Sequence, residues 1–376
     1  MILTRWGTIQ GRIANRDAAA SSIVNVLTVV GARPQIIKAA PVSAELRKRH
    51  HEFLLHTGQH YDHALSQDFF SELSIPEPDL NLEIGSGPHG EQTGRMLAGI
   101  ERVVLDVKPD WVLVYGDTNT TLAAALAAAK IHVPVAHVEA GLRSFDRRMP
   151  EEVNRVVTDH LSSLLLCPTD NAAAQLADEG ISSGVVVTGD VMMDAFRIYI
   201  GQARSRPQPS VLDRLNLRPG EYVLATLHRA ENTDEPIRLR AILDGLNASG
   251  CHVVLAMHPR TKKAIETFGL ETSANVQLED PVGYLDMLVL ESEAAAIATD
   301  SGGVQKEAYI AGRPCITMRD STEWPETVDA GWNRLVGADS GAIAASISTF
   351  RPDTERPDLF GDGHASERIV AALEKV

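Results

Sequence analysis

Residues 24–40 read VNVLTVVGARPQIIKAA, an apolar β-branched run that stops on Gly31, a turn carrying Arg33 and Pro34, and then a segment of helical character. That is strand, turn, helix. The pattern returns along the chain. HEFLLHTGQ (51–59), WVLVYGD (111–117) before TNTTLAAALAAAK (118–130), PVAHVEAG (134–141), SLLLCPT (163–169) and VVVTGD (185–190) are each short apolar runs that close on polar residues or glycine. Strands alternating with helices in this way predict a parallel sheet covered on both faces. After the polar, proline-containing stretch SRPQPSVLDRL (205–215) the alternation restarts with EYVLATLHR (221–229), HVVLAMHPR (252–260), NVQLEDP (275–281), AAAIATDSGG (294–303) and RPCITMRD (313–320). The expected fold is α/β, with two Rossmann-like doubly wound domains facing across a cleft.

The expected divisions are an N-terminal extension over 1–22, a first domain over 23–195 and a second over 196–361. The amphipathic C-terminal segment, 362–376, is expected to close the first domain as a helix. The 376 residues agree with two domains of about 150 residues or more each. A hydrophobic fraction of 44% and a charged fraction of 23% suit a folded globular chain. The net charge of −15, with no Lys/Arg block, argues against a nucleic-acid or anionic-membrane surface. Cys167, Cys251 and Cys315 show no metal-ligand spacing and read as free thiols. Residues 1–22 lack a continuous apolar core of the signal-peptide kind, and no run reaches the length of a spanning helix. The expectation is a cytoplasmic protein without a membrane segment.

In doubly wound sheets ligands collect at the carboxyl ends of strands, so the residues following each run are the candidates. DSGGVQKEA follows such a run. Ser301 is placed to cap a helix whose amide groups at Gly302 and Gly303 would face an anion, a diphosphate cradle, and Glu307 lies about one and a half turns further on, where a carboxylate can accept ribose hydroxyls. A capped surface helix is the plainer alternative. The segment after Gly31 lacks the G-x-G-x-x-G spacing of dinucleotide sites and supplies two cations, Arg33 and Lys38, suited to a pyrophosphate or merely to a helix surface. Asp117, Glu139 and Glu151 come from successive loops on one rim, where carboxylates can trade protons with a carbon acid. Helix capping by Asp117 and surface pairing of Glu151 with Arg155 are their structural alternatives. His228 and His258 each end a strand of the second domain, where a histidine can hold or protonate a leaving phosphate. No G-x-S-x-G motif follows an apolar strand run, as a nucleophile elbow would.

Taken together, GARPQIIKAAPV (31–42), TGQHYD (57–62), YGDTNTTLAAALAA (115–128), HVEAGLR (137–143), PEEVNR (150–155), LHRAEN (227–232), TDSGGVQKEA (299–308) and MRDSTEWPE (318–326) resemble the non-hydrolysing UDP-N-acetylglucosamine 2-epimerases. The resemblance runs from about residue 24 to the C-terminus. It implies a B-type glycosyltransferase-like fold, UDP bound in the cleft by the second domain, neither NAD nor metal, and a homodimer. It matches Arg33 and Lys38 to the family's cations, Asp117, Glu139 and Glu151 to its active-site acids, and His228 to its catalytic histidine. Ser301, Gly302 and Gly303 match the diphosphate-binding turn, Glu307 the ribose ligand, and Val282 and Met287 the uracil contacts. The implied reaction interconverts UDP-GlcNAc and UDP-ManNAc by elimination of UDP to 2-acetamidoglucal and re-addition.

Two motifs depart from the family pattern. Where regulated lineages carry QHR followed by Glu or Gln, this chain has Gln59-His60-Tyr61-Asp62, which argues against activation by a second UDP-GlcNAc. Where the family has TERPE, this chain has Trp324 in place of the substrate-touching arginine. With GARPQ and IGSGPHGEQTGRML (84–97), these features are closer to the subgroup acting on UDP-2,3-diacetamido-2,3-dideoxyglucuronate, the alternative substrate. A B-type glycosyltransferase and a non-catalytic nucleotide-sugar sensor are rivals of other classes. The three clustered acids favour epimerisation.

Overall fold

The computed structural model describes residues 23–59, 73, 75–206 and 209–375. Of the QHYD segment only Gln59 lies within them; His60, Tyr61 and Asp62 fall outside, as do residues 1–22. One sheet has seven strands in the order β3-β2-β1-β4-β5-β6-β7. They are β1 (Asn25–Val30), β2 (His51–His56), β3 (Leu80–Asn81), β4 (Trp111–Tyr115), β5 (Val135–Val138), β6 (Leu164–Cys167) and β7 (Val185–Val187). The other has six in the order β10-β9-β8-β11-β12-β13. These are β8 (Val223–Leu227), β9 (Val253–Met257), β10 (Val276–Glu279), β11 (Ala296–Thr299), β12 (Cys315–Thr317) and β13 (Asn333–Leu335). Every pairing is parallel. β4 and β8 are buried along their whole length, because helices cover both faces of a parallel sheet and leave no side for water.

The covering helices of the first sheet are α1 (Arg33–Leu46), α2 (His89–Val107), α3 (Asn119–Lys130), α4 (Pro150–Leu161), α5 (Asp170–Asp178) and α6 (Val191–Arg204). Around the second sheet lie α7 (Val211–Leu215), α8 (Ala230–Thr233), α9 (Pro236–Ala248), α10 (Pro259–Phe268), α11 (Tyr284–Glu293), α12 (Gly302–Ile310), α13 (Pro325–Asp329) and α14 (Ser340–Thr349). The final helix, α15 (Ala365–Leu373), packs back on α1 and α6. α6 runs unbroken through the expected junction at residues 195 and 196 and touches α1, α15, α11 and α12. It is a shared strut between the two halves. Tyr199 on α6 meets Tyr284 on α11 edge to face, with ring centroids 5.9 Å apart. One apolar cluster joins Val26, Phe196 and Tyr199 to Leu285, Leu288, Tyr309 and Trp324, so the halves share a core. No helix among the described residues is long and apolar enough to cross a membrane.

Both strand orders reverse direction once, between β1 and β4 and between β8 and β11. A crevice opens where the connections on the two sides of such a point diverge. Gly31 to Arg33 and Gly116 to Asp117 follow the first pair; His228 and Asp300 to Ser301 follow the second. Gln35 fixes the turn after β1. Its side-chain oxygen accepts from the amides of Gly31 (2.9 Å) and Ala32 (3.1 Å), and its nitrogen donates to the Tyr115 carbonyl (2.8 Å). Gly31 has no substitute here, since a Cβ would stand 2.2 Å from the hydroxyls of both Thr57 and Thr120.

Candidate active site

On the second sheet, β11 delivers the buried Asp300. Its carboxylate accepts from the amides of His228 (3.0 Å) and Arg229 (2.9 Å) and from the Asn232 amide side chain (3.1 Å). The loop after β8 is thereby held against the turn that follows β11. Ser301 is the N-cap of α12, accepting from the Val304 amide at 3.4 Å, as the sequence predicts. The amides of Gly302 and Gly303 find no protein acceptor among the described residues, so they remain available to an anion at the positive end of the helix. His228 stands 3.8 Å from Asp300 through Nδ1, and its ring lies 5.6 Å from that of His258. Burial lowers the pKa of both rings. Arg229, His258 and Arg260 add to this for His228 against the pull of Asp300, and Arg260 and Arg33 add to it for His258. The field of Arg33 at His258 spans the cleft from the first turn of α1 to the start of α10. His258 itself caps α10 by accepting from the Arg260 amide at 3.2 Å.

On the first sheet, Glu139 follows β5 with a left-handed φ of 71°. Its carboxylate is buried between two lysines: Lys38 of α1 bonds one oxygen, and Lys306 of α12 bonds the other at 2.7 Å. Burial alone would raise this carboxyl, but Lys306 and Lys38 together hold it well below the usual carboxylate range. Gly116 makes room for the pair, because a Cβ there would lie 3.3 Å from Glu139 Oε2 and 3.6 Å from Lys38 Nζ.

Asp117 does not cap α3. Thr118 does, and Asp117 instead accepts from Arg155 at 2.5 Å, with Asn154 donating to its carbonyl at 2.8 Å. The pairing of Glu151 with Arg155 is also absent, since the guanidinium turns to Asp117 and to Glu152, 3.1 Å away. Glu151 is half-buried in the first turn of α4. Neither structural alternative holds: Asp117 is tied to Arg155, and Glu151 is not.

Glu307 is 7% exposed and accepts from the Tyr284 hydroxyl at 3.2 Å. Burial pushes its carboxyl up to about 7, and that of its buried neighbour Glu291 well above the ordinary value. Val282 and Met287 are half-buried against the apolar cluster that includes Leu224, Val254 and Leu290, which makes Met287 a packing residue as well as a candidate base contact. Trp324 is 4% exposed. It lies under the Ser-Gly-Gly turn, donating from Nε1 to the Gly302 carbonyl at 3.0 Å and packing edge-on against Phe360. Sequence reasoning passed over Asp300, Asp190 and Lys306, and gave Arg155 only as a partner of Glu151. Asp300 had a signal, since it directly follows a strand, and Lys306 stands inside the quoted SGGVQKEA.

The model of the UDP-N-acetylglucosamine 2-epimerase family matches residues 44–374. A UDP-N-acetylglucosamine 2-epimerase homolog of Methanococcus maripaludis is 50% identical, over 94% of this chain and 100% of its own length. The UDP-2,3-diacetamido-2,3-dideoxy-D-glucuronate 2-epimerase of Pseudomonas aeruginosa is 49% identical, with coverage of 94% and 100%. The crystal structure of Methanocaldococcus jannaschii UDP-GlcNAc 2-epimerase in complex with UDP-GlcNAc and UDP superposes with a TM-score of 0.85 at 45% identity, covering 93% of this chain and 99% of that one. Two doubly wound sheets, a phosphate-ready turn on one and a buried carboxylate between two lysines on the other thus meet in a chain that belongs to the UDP-N-acetylglucosamine 2-epimerase family.

Proposed function

We propose that this chain inverts C2 of a UDP-linked N-acetylhexosamine, interconverting UDP-GlcNAc and UDP-ManNAc. The observation that carries the reading is Glu139, an ionised buried carboxylate held by Lys306, one residue from Glu307 on the helix that presents the Ser-Gly-Gly turn. In this reading the turn holds the diphosphate, Glu307 the ribose, Val282 and Met287 the uracil, and Arg33 with His258 the rim of the phosphate site. H2 of the sugar is too weakly acidic for simple removal and return, so elimination is the workable route. A carboxylate takes H2, the C2–H pair forms the C1–C2 double bond, and the C1–O bond breaks with its electrons leaving on UDP. Re-addition of the UDP oxygen at C1, with a proton delivered to the opposite face of C2, gives the epimer. Both steps are redox-neutral and need no hydride carrier.

Glu139, Asp117 and Glu151 supply the base and the returning acid, while Arg33, His228 and the turn amides stabilise the charge on the departing phosphate. Residues 23–195 with 362–376 form the half that bears the acids in this reading, and 196–361 the half that binds UDP. Assembly as a homodimer follows from the family resemblance.

A second substrate, UDP-2,3-diacetamido-2,3-dideoxyglucuronate, is favoured by the Pseudomonas aeruginosa relative at 49% identity. One experiment separates the readings: incubation with each UDP-sugar in deuterium oxide, followed by NMR of the sugar. Deuterium at C2 with a gluco/manno mixture from UDP-GlcNAc is the expected result. Exchange only with the diacetamido-uronate moves the substrate and keeps the mechanism. No exchange with either overturns the reading in favour of a sensor or a glycosyltransferase.

A further inference from the structure

Lys306 has no role in the proposed chemistry, yet it is the most deeply embedded cation of the site. It is 2% exposed. Its ammonium donates to Glu139 at 2.7 Å and to Asp190 at 2.6 Å, and it lies 4.5 Å over the ring of Trp324. Asp190 is fully buried and already committed, because it caps α6 by accepting from the Met192 amide at 2.8 Å. Lys306 therefore ties three elements at one atom: α12, whose N-terminus carries the Ser-Gly-Gly turn, the loop after β5 that carries Glu139, and the start of the strut α6.

Lys38 and Lys306 face Glu139 and Asp190, two cations against two carboxylates, with Glu307 and Glu326 also within the field of Lys306. A buried ion of this kind, deprived of one partner, leaves an uncompensated charge that protonates or moves.

We propose that Lys306 is a positioning residue for the reaction, a buried latch that fixes the Glu139 carboxylate in its reactive orientation against the helix that holds the diphosphate. Trp324 supports the latch from below, so that the aromatic residue in this motif serves the lysine and not the substrate directly. Without Lys306, Glu139 keeps Lys38 on one oxygen but faces Asp190 with the other, and two such carboxylates cannot both stay ionised in a buried site.

The inference rests on the epimerase reading, and its test separates the two. UDP affinity by calorimetry, kcat by NMR and the thermal midpoint are measured for wild type, Lys306→Met, Lys306→Arg and the double variant Asp190→Asn with Lys306→Met. For Lys306→Met the expected result is UDP affinity close to wild type and kcat lower by about 100-fold, the size of loss that follows a small misplacement of a reacting group. The acid limb of its kcat profile should move to higher pH. The double variant leaves no carboxylate stranded, so it should regain the thermal midpoint without regaining kcat, and Lys306→Arg should regain part of kcat.

A double variant that recovers both the midpoint and the wild-type rate would show Lys306 to be structural only and would overturn the proposal. So would Lys306→Met with an unchanged rate and acid limb, or a double variant that does not fold. Absence of C2 exchange in the wild type is a different outcome, which defeats the epimerase reading itself.

Discussion

Glu139 concentrates the electrostatics of the site in one side chain. Burial opposes its ionisation, and two ammonium groups within bonding distance reverse that penalty. Glu139→Gln keeps the shape and removes the charge. Its kcat is expected to fall by about 10²- to 10⁴-fold, the usual contribution of a positioned acid or base, with UDP affinity little changed. Rate and calorimetry together check this. The same variant has a stability signature. A carboxyl whose folded pKa lies below its unfolded value contributes stability that is present above the unfolded value of about 4.3 and lost as pH falls through the folded value. The stability gap between wild type and Glu139→Gln in urea titrations should therefore be widest near neutrality and narrow below about pH 4.3. Glu307 behaves oppositely, with a carboxyl pushed up to about 7 by burial. If it accepts ribose hydroxyls as a carboxylate, binding must draw a proton off it below that pH. Affinity for UDP-glucose, whose diphosphate diester has no proton to lose near neutrality, should weaken by up to about tenfold per pH unit below 7. Glu307→Gln should flatten that dependence, and a slope that survives the substitution would assign the proton elsewhere.

At the scale of the element, α12 performs three tasks in nine residues: an anion-ready N-terminus, the latch lysine and the ribose acid. Gly303 gives access to the first task alone. It is exposed, and a Cβ there meets only the Ser301 hydroxyl at 3.7 Å. Gly303→Asp puts a carboxylate in the first turn, where the helix dipole favours it by about 0.3–1 kcal/mol. The same charge repels a diphosphate. The expected pair of results is an unchanged or raised thermal midpoint with UDP affinity reduced by at least about tenfold, or about 1.4 kcal/mol; loss of both together would mean that the turn is needed for folding and not for the anion. Most of this element was legible in the sequence, as were the strands that begin its neighbours, because β-branched runs ending on glycine or aspartate mark strand ends locally. β3 and β13 were not, since Leu80–Asn81 and Asn333–Leu335 are not apolar runs, unlike the three-residue β7 and β12. Lys306 was unreadable for a different reason. Its partners Asp190 and Glu139 lie 116 and 167 residues away, and only the packing of one half on the other brings them together. The surroundings of Trp324 were unreadable for the same reason, since its burial is decided by Phe360 and Gly302.

For the whole molecule, the decisive feature is the apolar cluster that the two halves share. Leu285, Leu288 and Tyr309 from the second half share an apolar cluster with Phe196, Tyr199 and Ile369, and the strut α6 touches helices of both halves. Cooperative unfolding follows, because neither half can open without exposing the shared core. Leu288 is fully buried in that cluster. Its replacement by alanine should cost about 2–5 kcal/mol, and in calorimetry it should lower a single transition without splitting it in two. UDP adds a second handle on the same transition. A ligand at a hundred times its dissociation constant stabilises the state that binds it by about 2.7 kcal/mol. If the nucleotide site belongs to one cooperative molecule, UDP should raise the whole transition of Leu288→Ala. If the halves melt separately, UDP should raise only the part that contains α12, and the calorimetric trace would broaden into two peaks as nucleotide is added. The single peak is the expected outcome, since the latch at Lys306 and the core at Leu288 connect the same two halves.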